Sequence, residues 1–166
     1  AFRPELVRPK PDYPGIPYHE LLRRTVERTP DKWATVFHDQ KLTFRELEGL
    51  SNGLANGLRD FGLGKGDRVA LFMTNRPEYL ISFEATSKAG GVVTPINPAY
   101  HEQEVEYQLN DSEARVLIVH EDRLPIIEAI RGRIPTVQHI LVVGGGATLP
   151  NSKSWYDVAN GYPATR

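Results

Sequence analysis

The sequence has no cysteine among its 166 residues, which excludes disulfides and thiol catalysis and favours a reducing compartment. It also lacks any apolar run approaching the roughly 18 residues that a membrane span requires. The N-terminus is polar and proline-rich, so it does not read as a signal peptide. Neither sign of charge dominates: the formal net charge is -1, and the basic stripe expected of a nucleic-acid binder is missing. With 40% hydrophobic and 25% charged residues, the chain belongs among folded soluble domains rather than disordered segments. Running from Ala1 to Arg166, it has no natural start or stop landmark and is expected to be a piece of a longer protein.

What is present is a rhythm of four apolar runs. Val69-Ala70-Leu71-Phe72-Met73, Val92-Val93-Thr94-Pro95-Ile96, Val116-Leu117-Ile118-Val119 and Ile140-Leu141-Val142-Val143 contain Val69, Val93, Leu117 and Leu141, 24 residues apart each time. Segments of helical character lie between them. Parallel strands need such long return connections, and strands that are apolar without alternation are covered on both faces. The fold class predicted is α/β: a layered, largely parallel sheet with helices on both faces. No internal sequence repeat accompanies the rhythm.

The proline-rich stretch 1–16, with Pro4, Pro9, Pro11 and Pro14, is expected to be an extended arm. Residues 17–143 form the α/β unit. Residues 144–166, containing Gly144-Gly145-Gly146, Pro150 and Gly161-Tyr162-Pro163, read as a linker leading to a missing remainder, with Trp155 to Val158 its one ordered piece. Within the unit, Pro17 opens a helix that stops near Thr29-Pro30. Ala34–Phe37 and Leu42-Thr43 suggest a hairpin around a turn at residues 38–41.

Thr43-Phe44-Arg45-Glu46 is a capping box, opening a helix with Phe44, Leu47, Leu50, Leu54, Leu58 and Phe61 on one face. Gly62 ends that helix through its access to positive φ. Gly49, Gly53 and Gly57 form a second stripe. Each costs about 1 kcal/mol of helix propensity, so the stripe predicts close packing against a neighbouring element. Pro77 begins a buried helix that Gly90-Gly91 ends, and shorter helices are expected near 102–110 and from Leu124 through Ile134.

None of the candidate chemical motifs assembles. Gly62-Leu63-Gly64-Lys65-Gly66-Asp67 has phosphate-loop composition but follows a helix and precedes a strand, the reverse of the required order; a helix-to-strand turn explains it. Gly144-Gly145-Gly146 follows a strand but lacks G-x-G-x-x-G spacing. His19, His38, His101, His120 and His139 show no metal-ligand spacing. Glu102, Glu104 and Glu106 suit a helix start, where the dipole favours negative charge. No serine sits in a G-x-S-x-G elbow. The residues alone therefore assign no catalytic, cofactor-binding or metal site.

Several ordered segments nevertheless carry a resemblance. Leu42-Thr43-Phe44-Arg45-Glu46-Leu47 and Gly66-Asp67-Arg68-Val69-Ala70, then Ser87-Lys88-Ala89-Gly90-Gly91-Val92-Val93-Thr94-Pro95-Ile96-Asn97-Pro98-Ala99-Tyr100, then Glu106-Tyr107-Gln108-Leu109-Asn110-Asp111-Ser112-Glu113-Ala114-Arg115-Val116-Leu117-Ile118, resemble the opening motifs of the adenylate-forming enzymes. That family holds acyl-CoA synthetases, luciferases and peptide-synthetase adenylation domains. Pro95-Ile96-Asn97-Pro98 looks more like the medium- and long-chain fatty acyl-CoA ligases, since peptide synthetases usually place aspartate at the position of Asn97. The resemblance spans about Tyr18 to Val143.

It implies an ATP-dependent reaction in which a carboxylate forms an acyl-adenylate and the thiol of CoA then displaces AMP. ATP, Mg and CoA are implied for the full-length enzyme and none for this fragment. The family's Ser/Thr/Gly-rich loop with its lysine, its ribose-binding aspartate and its C-terminal domain have no counterpart here. The expected role is thus an N-terminal scaffold, inactive on its own. Its partner would be the remainder of the parent chain, with self-association through exposed apolar surface, in a cytoplasmic enzyme able to sit peripherally on membranes. The alternative is a freestanding α/β module binding a nucleotide or small ligand.

Overall fold

The computed structural model describes residues 15–145 and 149–165; almost all of the arm expected at 1–16 lies outside them, as do residues 146–148. The elements run α1 (His19–Arg28), β1 (Trp33–Phe37), β2 (Gln40–Thr43), α2 (Phe44–Asp60), β3 (Arg68–Phe72), α3 (Pro77–Ala89), β4 (Val92–Pro95), α4 (Glu102–Asp111), β5 (Val116–His120), α5 (Leu124–Ile130), β6 (His139–Val143), β7 (Ser152–Ser154) and α6 (Trp155–Gly161).

The four apolar runs are β3, β4, β5 and β6. They lie in one five-stranded sheet of order β4-β3-β5-β6-β7, and every pairing in it is parallel. Continuous apolarity reflects burial on both faces in β3, β5 and β6; β4 departs from that expectation, because it is the edge strand of the sheet and leaves Val92 and Pro95 exposed. Val69, Leu71, Met73, Val116, Ile118, Leu141 and Val143 pack toward α1, α2, α3 and α6. Their alternates Ala70, Phe72, Leu117, Val119, Ile140 and Val142 join the side covered by α4 and α5. β1 and β2 form a separate antiparallel hairpin, tighter than expected because β2 already begins at Gln40 and His38 turns the chain at φ +49°.

The capping box forms: Thr43 Oγ1 accepts from the Glu46 N–H at 3.2 Å, and Glu46 Oε2 accepts from the Thr43 N–H at 2.8 Å. Gly62 and Gly90 follow α2 and α3 at φ +79° and +87°. The helix expected from Leu124 to Ile134 is α-helical only to Ile130; a 3-10 turn, Arg131–Arg133, then tightens the chain and still buries Ile134.

The expected linker at 144–166 is the main correction. Ser152–Ser154 add β7 to the sheet beside β6, and α6 packs across α2. A Cβ on Gly53 would overlap the carbonyl oxygen of Ala159, and one on Gly57 would overlap the Val158 side chain. Gly53 and Gly57 of the stripe on α2 are therefore the seat of α6, while Gly49 lies beyond it. Trp155, 2% exposed, donates from Nε1 to Ser82 Oγ at 2.9 Å. Beyond α6, Asn52 holds the Ala164 carbonyl at 2.8 Å, and Asn56 holds those of Pro163 and Thr165 at 2.9 and 3.0 Å. The segment escaped the sequence reading because Ser-Lys-Ser has no strand-like apolarity and α6 is only seven residues long.

Candidate functional site

The connections from β3 and β5 leave in opposite directions, since β4 lies on one side of this pair and β6 on the other. In open parallel sheets, ligand crevices form outside the carboxyl ends of the strands at such a switch point. Here that place is built by Met73–Arg76 after β3, His120–Arg123 after β5, Gly144-Gly145 after β6 and the start of α6.

Pro77 in the first turn of α3 fixes where the loop after β3 becomes helical. Glu78, one residue on, accepts from the Tyr156 hydroxyl at 2.8 Å and so joins the first turns of α3 and α6. Burial, reinforced by Glu78, pushes the Tyr156 phenol up to about 12; Glu121 adds to this and Arg76 opposes it, so these four side chains share one field. The Arg76 Nε is buried without a hydrogen-bond partner. After β5, His120 Nδ1 lies 2.8 Å from Asp122 Oδ1, and Arg123 Nε approaches the same oxygen at 3.5 Å.

Gly144 stands at φ +124°, where a Cβ would fall 2.6 Å from Glu121 Cγ and 2.7 Å from its Oε2. The glycine is what lets the Glu121 side chain lie across the end of β6. Beside this polar group a hollow of about 550 Å³ opens between Met73, Thr74, Asn75, Tyr79, Pro95, Ile96, Asn97 and Pro98. Asn97 Oδ1 accepts from the Ala99 N–H at 3.0 Å and shapes its rim; an aspartate could make the same bond, so this contact does not separate one substrate class from another.

An edge of this kind can wall a ligand and hydrogen-bond to it. It sets no nucleophile beside a base and an oxyanion pocket. Among the described residues, no group of three or more His, Asp or Glu could hold a metal ion.

The motifs considered in the sequence scatter. The Gly62–Asp67 loop lies at the amino end of β3, opposite the switch point, and is a helix-to-strand turn: Asp67 Oδ2 accepts from the Gly64 N–H at 2.8 Å and pairs with Arg115. With its own carboxylate filling the loop, no anion is invited. Gly144-Gly145 does reach the carboxyl edge, but it accommodates Glu121. Of the histidines, His19 meets Ser87 at 3.3 Å, His38 turns the hairpin, His101 caps α4 with its N–H on Glu104 at 3.1 Å, and His139 stacks on Phe61 at 4.8 Å. Only His120 lies at the switch point. Glu106 pairs with Arg133 at 2.7 Å. Arg76, Glu78, Glu121 and Tyr156 were not singled out beforehand; the one signal available was that each directly follows, or soon follows, a strand end.

Comparison with known proteins agrees with this architecture. The family model described as AMP-binding enzyme matches residues 22–163. The long-chain-fatty-acid–CoA ligase of Bacillus subtilis (strain 168) is 37% identical over 142 residues, which is 85% of this chain and 25% of that protein. Tyrocidine synthase 3 of Brevibacillus parabrevis is 35% identical over 117 residues, 70% of this chain and 2% of its own length. Among solved structures, the anthranilate CoA ligase AuaEII in complex with anthranoyl-AMP superposes with a TM-score of 0.83 at 34% identity, covering 89% of this chain and 28% of that one. The chain thus spans a small part of each relative. With the family model covering most of the sequence and the five-stranded parallel sheet reproduced in an acyl-CoA ligase, this chain belongs to the AMP-binding, adenylate-forming enzymes.

Proposed function

We propose that this chain is the N-terminal framework of a fatty acyl-CoA ligase and performs no adenylation by itself. The observation that carries the reading is the makeup of its carboxyl edge. That edge presents hydrogen-bonding side chains and an apolar hollow, yet among the described residues it places no glycine-rich lysine loop at a strand end. Stabilising charge on a transferring phosphoryl group requires preorganised cations and N–H donors at fixed positions. The only lysine-bearing glycine loop among the described residues is the one on the far side of the sheet, occupied by Asp67. Fatty acid is favoured over amino acid as substrate class because the resemblance to a fatty-acid ligase extends over 85% of this chain, against 70% for tyrocidine synthase 3. ATP, Mg and CoA would be gripped by the parent enzyme's remaining residues, with this edge forming one wall.

A pyrophosphate-release assay with ATP, CoA and fatty acids of several lengths tests the reading. The expected result is no turnover above background for this chain alone; measurable turnover overturns it. Calorimetry with ATP, AMP and CoA distinguishes the alternative, since tight binding of any one of them would mark a freestanding binding module.

A further inference from the structure

The hairpin leaves one face and one edge uncovered. β1 and β2 form a two-stranded sheet of their own, apart from the five-stranded one, and rest on α2 and α3. A strand pair this small needs further strands, or packing against a helix, to be stable. The helices supply part of that: Ala34 and Leu42 pack on the core around α2 and α3. Even so, no residue of either strand is fully buried.

The open face is apolar. The pairing register shifts between Trp33 and Thr35, and such an irregularity re-aims side chains. Trp33 and Val36 turn outward together, 58% and 63% exposed. Lys41 stands opposite Val36, and its Nζ lies 5.7 Å from the centre of the Trp33 ring, so these side chains share the outer face. A tryptophan and a valine held out to water forgo the burial that favours such residues in sheets.

The two edges of the hairpin differ. β2 is closed to a further strand. It is four residues long, it carries Lys41, a residue type that discourages edge pairing, and its Thr43 N–H is taken by Glu46 Oε2 as the chain turns into α2. β1 is open. It reads Trp-Ala-Thr-Val-Phe, without charge and rich in the aromatic and β-branched residues that suit strands. Among the described residues, it makes no backbone hydrogen bond outside its pairing with β2. One partner satisfies only alternate backbone groups of an antiparallel strand, which leaves the others of β1 for a second.

We propose that β1 is the edge on which the rest of the parent enzyme docks. An extended segment from outside this chain pairs with β1, continues the hairpin into a larger sheet and covers Trp33 and Val36. This rests on the framework reading above. The chain spans 25% of the Bacillus subtilis ligase and 28% of the anthranilate ligase, so most of a parent of that length lies outside it and needs surface to pack on. The chemistry of the segment follows from the face it covers. Neighbouring strands set side chains against each other on each face, so it carries aromatic or β-branched residues at alternate positions beside Trp33 and Val36.

Amide hydrogen exchange, run side by side on this chain and on the purified parent enzyme, tests the docking edge. In this chain the β1 amides not bonded to β2 are expected to exchange at nearly unprotected rates. In the parent the same amides should slow by about a hundredfold or more, while those of β5 stay protected in both. Val36→Asp gives a second readout: it should leave the urea midpoint of this chain almost unchanged and lower that of the parent. If that variant of the parent does not fold, exchange in the unaltered proteins decides. β1 amides that exchange equally fast in both proteins overturn the proposal, as does a Val36→Asp effect of equal size in both. Protection of β1 that appears in this chain alone and grows with its concentration identifies a second copy as the occupant, and overturns it too. None of these failures touches the framework reading, which fails separately, by pyrophosphate release from this chain alone.

Discussion

Three glycines spaced four apart on α2 look alike in sequence, yet the structure gives them different tasks. Gly53 and Gly57 lie under α6, where any Cβ would enter the Ala159 carbonyl or the Val158 side chain. Among the described residues, a Cβ on Gly49 would meet only the Ala164 methyl, at an ordinary 3.7 Å. Gly53→Ala should therefore destabilise the protein by about 1–3 kcal/mol, the usual range for overpacking, because a backbone carbonyl cannot swing aside. Gly49→Ala should stabilise it by up to about 1 kcal/mol through helix propensity. Urea denaturation of both variants reads the difference; equal effects of the same sign would show that the stripe is not a packing seat. The spacing made a close approach legible, but not its partner, because the stripe says nothing of which element arrives. Glu84 and Lys88, buried on α3, were illegible for a related reason. Polar residues on a largely apolar helix read as its exposed face until the positions of α1 and α2 show that face to be covered.

Among the elements, those with strong local signals were read well. β3, β5 and β6 announce themselves by unbroken apolar residues, and α2 by its capping box and three-four spacing. β7 and α6 do not. Their order comes from tertiary partners: β7 has the edge of β6 to pair with, and α6 has the glycine groove of α2 and the hydroxyl of Ser82 to receive Trp155. This makes the C-terminal stretch a structural part of the domain. A chain ending after Gly145 should lose Trp155, Val158 and Ala159 from the core together. Removing one buried tryptophan side chain alone typically costs about 3–5 kcal/mol, against a whole-domain stability of about 5–15 kcal/mol. The shortened chain is expected to lose its near-ultraviolet circular dichroism and to bind hydrophobic dyes. Cooperative unfolding with a slope close to that of the full chain would show instead that α6 is an accessory.

At the scale of the molecule, the two ends of the sheet are built for different purposes. The carboxyl end is left as a rim of loops around a hollow. The amino end is stitched shut: Arg68 binds Glu113 at 2.7 Å, and Arg115 pairs with Asp67 and reaches Gln138 at 3.0 Å. This asymmetry could not be read from the chain, because strand spacing predicts parallel pairing without giving the order β4-β3-β5-β6-β7, and it is the order that fixes the switch point. Hence the fold class was legible and the site was not. The closed end can be tested through its pH dependence. The Gly64 N–H holds the Asp67 carboxyl below its ordinary 3.8, against the opposing effect of burial and with help from Arg115 and Arg68. A group whose folded value is depressed stabilises the protein above its unfolded value, and that contribution disappears as pH falls through the folded one. Asp67→Asn should accordingly be less stable than the parent chain near neutrality, and the gap should close progressively in acid, below about pH 4. Urea midpoints measured along a pH series would show this convergence. A gap of constant size down to the acid limit would mean that the Asp67 charge is immaterial, and that the turn is held by its glycines and by Arg115 bonding to backbone alone.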